Sequence, residues 1–353
     1  MPYCRRCGAQ IEENARFCHK CGTQVVNYFT PTAPIKSKPI HKDPFLLAVI
    51  GLVVILVTSL IVTVVLVVPV SPWNISESFE DKNPNVKTLN LNFDTNVGQV
   101  NVATMKIGEN NVHILVKADG ARGILGETDV PVTVSFDNQT VGDVLTLNSK
   151  VQLDSKFGSQ AKVVVSIYLD PDLILNLNVS STTGQVSFTG DKPTEIRYLN
   201  LETTTGTVQA HLHGNLTVAG NISLKTTTGE VHYRMSELDI LENCNLNLQS
   251  TTGSVYMDLT QTRLTQGNIK VDIATTTGSI NIGLKIDEVG AIIRSQVGSF
   301  GDIFAETKNF SGEKNMLQSN NYPAETNIEI DNTVSGFGDI NIQANYQSDA
   351  TAA

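Results

Sequence analysis

The sequence predicts an all-β protein, a right-handed β-helix (β-solenoid) over residues 87–345, with one apolar helix and a small cysteine-rich module ahead of it. Three observations predict this. A Thr-Thr-Gly phrase recurs through the second half, a charge-free apolar run follows residue 44, and two CxxC pairs lie within the first 21 residues.

The phrase reads STTGQV at 181–186, TTTGTV at 203–208, TTTGEV at 226–231, STTGSV at 250–255 and TTTGSI at 275–280. Its glycines, Gly184, Gly206, Gly229, Gly253 and Gly278, are 22, 23, 24 and 25 residues apart. Self-similarity at such a period marks stacked repeats, each too small to bury its own apolar face. Apolar residues alternate before each glycine (Leu177/Val179, Leu246/Leu248) and after it (Val186/Phe188, Val255/Met257). Period two on both sides of a polar turn means strand, turn, strand with one face inward. The glycine supplies a corner with positive φ, and the threonine hydroxyls are expected to hydrogen-bond along a column.

Gly98, with Leu91, Phe93, Val100 and Val102, fits the same template, which starts the array near residue 87. Degenerate copies around Gly298 (Ala291, Ile293, Phe300) and Gly336–Gly338 (Ile340, Ile342) read as caps at the far end. Residues 110–170 alternate without a TTG corner, as further rungs or an N-terminal cap of open register. A sandwich of long hairpins is the alternative fold. Cys244 falls on the inward parity and is expected as a small buried apolar residue. The T-T-T-G-x-V phrase, preceded by strands joined through Leu169-Asp170-Pro171, resembles adhesin-like families of bacterial and archaeal envelopes over most of residues 87–345. The resemblance implies the β-solenoid fold and an adhesin-like role.

From Phe45 to Val68 the chain holds no charged residue and is dominated by Val, Leu and Ile. At about 1.5 Å per residue such a helix spans a hydrocarbon core of about 30 Å, which predicts a transmembrane helix over 44–69. Trp73 follows where an interfacial aromatic anchor sits. The formal charge of −10 divides into +4 over residues 1–44 and −14 beyond the apolar run. Basic residues before the run place the N-terminus in the cytoplasm and residues 71–353 outside the cell membrane. The acidic larger part makes nucleic acid an unsuitable partner, since phosphate contacts need a basic surface.

Cys4-Arg5-Arg6-Cys7-Gly8 and Cys18-His19-Lys20-Cys21-Gly22 are two knuckles ten residues apart. Four thiolates on two tight turns make the closed sulfur site that structural zinc prefers, so Cys4, Cys7, Cys18 and Cys21 are the expected zinc ligands. The glycine after each pair is expected to let backbone N–H groups point at sulfur. So small a unit has little core, and metal binding supplies most of its folding free energy. The stretch YCRRCGAQIEENARFCHKCG resembles the zinc ribbon at the N-terminus of many prokaryotic membrane proteins, which implies a structural or protein-contact module. The expected division is 1–24 zinc ribbon, 25–43 linker, 44–69 membrane helix, 70–86 stalk, 87–345 solenoid and 346–353 tail.

No enzymatic chemistry stands out. In the outward columns that follow the glycine no two adjacent residues are acidic, so the carboxylate pair of sugar hydrolysis is not visible there. His211, His213 and His232 lie on neighbouring rungs, but Arg234 falls beside His211 and opposes a cation. The expected function is therefore a membrane-anchored, non-enzymatic surface protein that binds extracellular glycan or protein. The alternative is a transmembrane sensor with a cytoplasmic protein docked on the zinc ribbon. A polysaccharide-active enzyme ranks third.

Overall fold

The computed structural model describes residues 3–12, 15–25, 44–67, 69–123, 131–154, 160–214 and 216–347. The described residues are mostly β with one helix, and the chain divides into two units, Met1–Ile61 and Val62–Ala353. Residues 26–43 of the expected linker and 348–353 of the expected tail lie outside the described residues.

The helix runs Pro44–Val67, opening on a proline where a helix loses nothing by its missing N–H. The single-pass membrane placement is corrected here. Among the described residues no helix is long and apolar enough to cross a membrane. Charge asymmetry orients a span but does not create one. The assignment of residues 71–353 to the outside falls with it.

The β residues form two open sheets, of 11 and 13 strands, and neither closes on itself. Each TTG repeat sends its first strand to the larger sheet and its second to the smaller one. Glu195–Thr205 and Val208–His213 are one such rung. Equivalent strands of successive rungs pair in parallel and in register: Val208 with Val231, Val231 with Val255, Val255 with Ile280. Independent hairpins would pair antiparallel within a repeat, so the sandwich of hairpins does not describe this chain. The inward residues of both sheets share one core, where Leu177, Leu201, Val208, Val231, Leu248 and Val255 are fully buried. Each such side chain contributes roughly 1.5–3 kcal/mol, so stability accumulates rung by rung.

The two ends depart from sequence order. Val144–Leu153 and Gln160–Leu169 make the rung that precedes Thr88–Thr95 and Gln99–Thr104 in space, although they follow it in the chain. On its other side this early rung carries Ile174–Thr183 and Val186–Gly190. Beyond the outer rung the pairing turns antiparallel. Val132–Val141 edges the larger sheet, and Val112–Gly123 followed by Pro69–Asp81 edges the smaller. Residues 70–86 are thus largely strand rather than stalk. Trp73 is buried in the β core, so it is no interfacial anchor.

At the far end, Asn327–Phe337 and Ile340–Tyr346 stack on the last TTG rung, and the earlier Gly290–Val297 and Ile303–Lys308 lie outside them. A hairpin of Phe310–Glu313 and Met316–Ser319 covers the edge of the larger sheet. Phe300, expected inward, is exposed and stacks on Phe337 with ring centroids 4.9 Å apart.

Candidate functional site

The N-terminal unit places its four cysteines on two copies of one turn. The Gly8 N–H donates to the Cys4 carbonyl at 2.9 Å and the Gly22 N–H to that of Cys18 at 2.8 Å, with φ of 70° at both glycines. The glycine amides therefore close the turns and do not point at sulfur, contrary to the expectation from sequence. The amides one residue on, Ala9 and Thr23, are the ones that bond Cys7 and Cys21. The Cys4–Cys21 and Cys7–Cys18 sulfurs are 3.6 Å apart, and all four lie within 4.8 Å of one another. A tetrahedron of about 2.3 Å Zn–S bonds has edges of about 3.8 Å, so the four sulfurs fit zinc with little movement.

Cys4 and Cys18 are buried against Ile11, and Cys7 and Cys21 are exposed. As thiols they are unequal. The Thr23 hydroxyl and N–H pull Cys21 down to about 6. At Cys7 the Ala9 N–H acts in the same lowering sense, but bonds from Cys21, burial and the other sulfurs outweigh it and push the thiol up to about 12. Zinc replaces these protons on binding.

In the β unit the corner glycines form a column. Gly98, Gly184, Gly206, Gly229, Gly253 and Gly278 all have φ between 116° and 142°. A Cβ on any of the last five would collide with the backbone carbonyl of the glycine one rung before it. Each position thus needs glycine twice over, for its dihedral and for the close approach. Gly298 is not in this column. Gly338, with φ of 138°, continues it against Gly278, and Gly301 then abuts Gly338. The degenerate copies carry glycines at several neighbouring positions, so spacing did not identify the stacked one.

From Thr203 onward the first hydroxyl residue of each phrase is buried and donates to a glycine carbonyl, not to the next hydroxyl, whereas Ser181 donates to the Thr183 carbonyl at 3.3 Å. Thr226 bonds Gly206 at 3.1 Å, Ser250 bonds Gly229 at 2.9 Å and Thr275 bonds Gly253 at 2.9 Å.

Outward polar residues form columns on both sheets. On the smaller sheet the His232 ring nitrogen Nε2 bonds the accepting carboxylate of Glu230 at 2.9 Å, and its ring stacks on Tyr256 with centroids 4.6 Å apart. Arg234 is the register partner of His211 and holds Asp258 at 3.3 Å. Burial first, then Arg234, His232 and His213, lower the pKa of His211. His232 is engaged by its neighbours, and among the described residues the three imidazoles are not gathered on one point.

The larger sheet carries a column that sequence reasoning missed, because only positions after the glycine were followed. Six residues before successive corners lie Asn92, Asn178, Asn200, Ser223, Asn247 and Asp272, in register across the sheet. Counting back from each glycine would have found it. Asn200 donates to Asn178 at 2.8 Å and Asn92 to Asn148 at 2.9 Å. Flanking columns add Asn176 to Asn90 at 2.9 Å and Asn245 to Asn221 at 3.0 Å. Asp272 does stand beside Asp331, an acidic pair that the columns after the glycine lack. Lys270 holds Asp272 at 3.4 Å and Arg294 holds Asp331 at 3.1 Å.

A zinc-ribbon domain family matches residues 3–25, and the N-terminal module is a zinc ribbon. No curated protein matches the chain. Two solved structures are similar. A candidate cell adhesion protein from Clostridium sporogenes ATCC 15579 has 14% identity and a TM-score of 0.39, over 77% of this chain and all of that one. A candidate adhesin from Bacteroides fragilis NCTC 9343 has 14% identity and a TM-score of 0.26, over 76% of this chain and 97% of that one.

Proposed function

We propose that the two sheets form a β-solenoid that works as a non-catalytic, adhesin-like binding domain for an extended glycan or protein chain. The zinc ribbon is its second contact module and docks another protein. One observation carries the reading: the polar column six residues before the corners, whose Asn200–Asn178 and Asn92–Asn148 amides are hydrogen-bonded in pairs. Amides fixed one rung apart, about 4.8 Å, offer a donor and an acceptor at each step along a chain laid across the strands. The acids beside them support binding rather than catalysis, because Lys270 and Arg294 hold Asp272 and Asp331 as paired ions.

The test is direct binding of the full chain to immobilised soluble polysaccharides and proteins, with reducing-end release measured in parallel. The expected result is retention of a polymer without its cleavage, unchanged when a chelator strips the zinc. Release of new reducing ends would overturn the reading, as would the absence of any bound polymer.

A further inference from the structure

At the N-terminal end of the column, where the amides are bonded in pairs, one link between pairs is missing, and it lies in a groove. Asn200, Asn178, Asn92 and Asn148 are consecutive in register. Asn200 donates its Nδ2 hydrogen to Asn178 Oδ1, and Asn92 donates likewise to Asn148 Oδ1. The bond that would join the two pairs, from Asn178 Nδ2 to Asn92 Oδ1, is not formed. Among the described residues neither atom has another partner. A free donor and a free acceptor therefore face outward one rung apart.

They line a groove of about 300 Å³ on the outer face of the larger sheet, near its N-terminal edge. Asp94, Asp137, Ser180 and Lys150 line it too. Ser180 donates to one oxygen of Asp94 at 2.8 Å, which leaves the other oxygen to accept. Asp137 and Lys150 are exposed and have no partner among the described residues. Phe93, the aromatic residue at the groove, has its side chain buried in the core, so no ring is offered as a stacking platform.

On the proposed binding function above, we infer that this groove is a subsite for a neutral polysaccharide, held by hydrogen bonds. A sugar hydroxyl both donates and accepts, so one hydroxyl completes the column by accepting from Asn178 and donating to Asn92. The carboxylates of Asp94 and Asp137 accept from further hydroxyls, and Lys150 donates to a ring or hydroxyl oxygen. Two carboxylates against one ammonium disfavour a polyanionic chain. Hydrogen bonds exchanged with water, without a stacking ring, make each contact weak, so affinity comes from several sugars on successive rungs.

The experiment titrates the full chain with xylohexaose, mannohexaose, cellohexaose and maltohexaose, and with hexagalacturonate as the acidic comparator. Each is repeated on Asn178→Leu, Asn92→Leu, Asp137→Ala and the opposite-sheet control Asn281→Leu, with thermal melting as the fold check. At least one neutral hexasaccharide should bind and hexagalacturonate should not. Asn178→Leu and Asn92→Leu should each weaken binding about tenfold, as loss of one or two hydrogen bonds implies. Asn281→Leu should leave it unchanged. Should either leucine variant melt early, Asp137→Ala, at an exposed position, still reports on the groove through a several-fold loss. Neutral sugar bound equally by every variant would overturn the subsite while leaving the binding function in place. Preference for hexagalacturonate would overturn the ligand class, and no binding of any sugar would overturn the subsite and the glycan half of the proposed function together.

Discussion

The Ser250 hydroxyl donates to the Gly229 carbonyl at 2.9 Å, one rung below its own corner. The same glycine gives its N–H to the Thr252 carbonyl at 2.8 Å. Both polar groups of one glycine are thus satisfied by a single phrase of the next repeat. This explains why hydroxyl residue and glycine recur together, and it separates two contributions by mutation. Ser250→Ala should cost about 1 kcal/mol, the usual net value of one hydrogen bond. Gly253→Val should cost several times more, because a branched side chain meets both a φ of 139° and the Gly229 carbonyl. Denaturant unfolding of the two variants checks the ordering; equal losses would sink the account.

Neighbouring residues on one strand should respond oppositely to charge. Leu248 is fully buried and Gln249 exposed. Leu248→Asp buries a carboxylate without a partner and should cost several kcal/mol. Gln249→Asp should stay within about 0.5 kcal/mol. Ser254, a natural choice for the outward control, is unsuitable because its hydroxyl accepts the Ser279 N–H at 3.2 Å.

Zinc should bind one equivalent per chain, and Cys18→Ser, which removes a buried ligand, should abolish it. Because the metal replaces thiol protons, affinity should fall steeply as pH is lowered. Cys7, whose thiol is pushed up to about 12, makes proton release on binding substantial near neutrality. Elemental analysis and a proton-release titration measure both, and a stoichiometry other than one refutes the site.

His211 should titrate below its usual value of about 6.5. Its depression disfavours the protonated form in the folded protein, so its share of stability is full above the unfolded pKa and is lost as pH falls towards the folded one. Arg234→Gln should raise the pKa only partway, since burial is the larger cause. Imidazole proton shifts followed by NMR give the answer; full restoration by that substitution would show that charge, not burial, dominates.

Much of this was legible because the signal was local. The inward parity of Val231, Val255 and Cys244 follows from alternation around one glycine, and all three are buried. The four cysteines and their zinc follow from spacing. What failed was non-local. Nothing near Val144 or Gln160 states that their strands pair with Thr88 and Gln99, because that register depends on chain 56 or more residues away. Trp73 read as an anchor because it follows the apolar run, whereas its pairing partner across the strands is Gly120. Gly298 failed for a different reason: glycine is frequent in the far copies, and the one in the column is fixed by stacking, not by count.

The threading of the two ends limits how such a chain can change in length. A strand pair copied anywhere between Ile174 and Ile286 meets identical parallel neighbours above and below, so duplication there extends the structure without a new kind of contact. At either end that freedom is absent. Deleting 327–346 would remove a rung that others sit upon, stranding Gly290–Val297 and Ile303–Lys308 without their partners. Gain and loss of repeats is thereby confined to the middle, and a family built this way should vary in the number of its TTG phrases while its terminal segments keep a constant length.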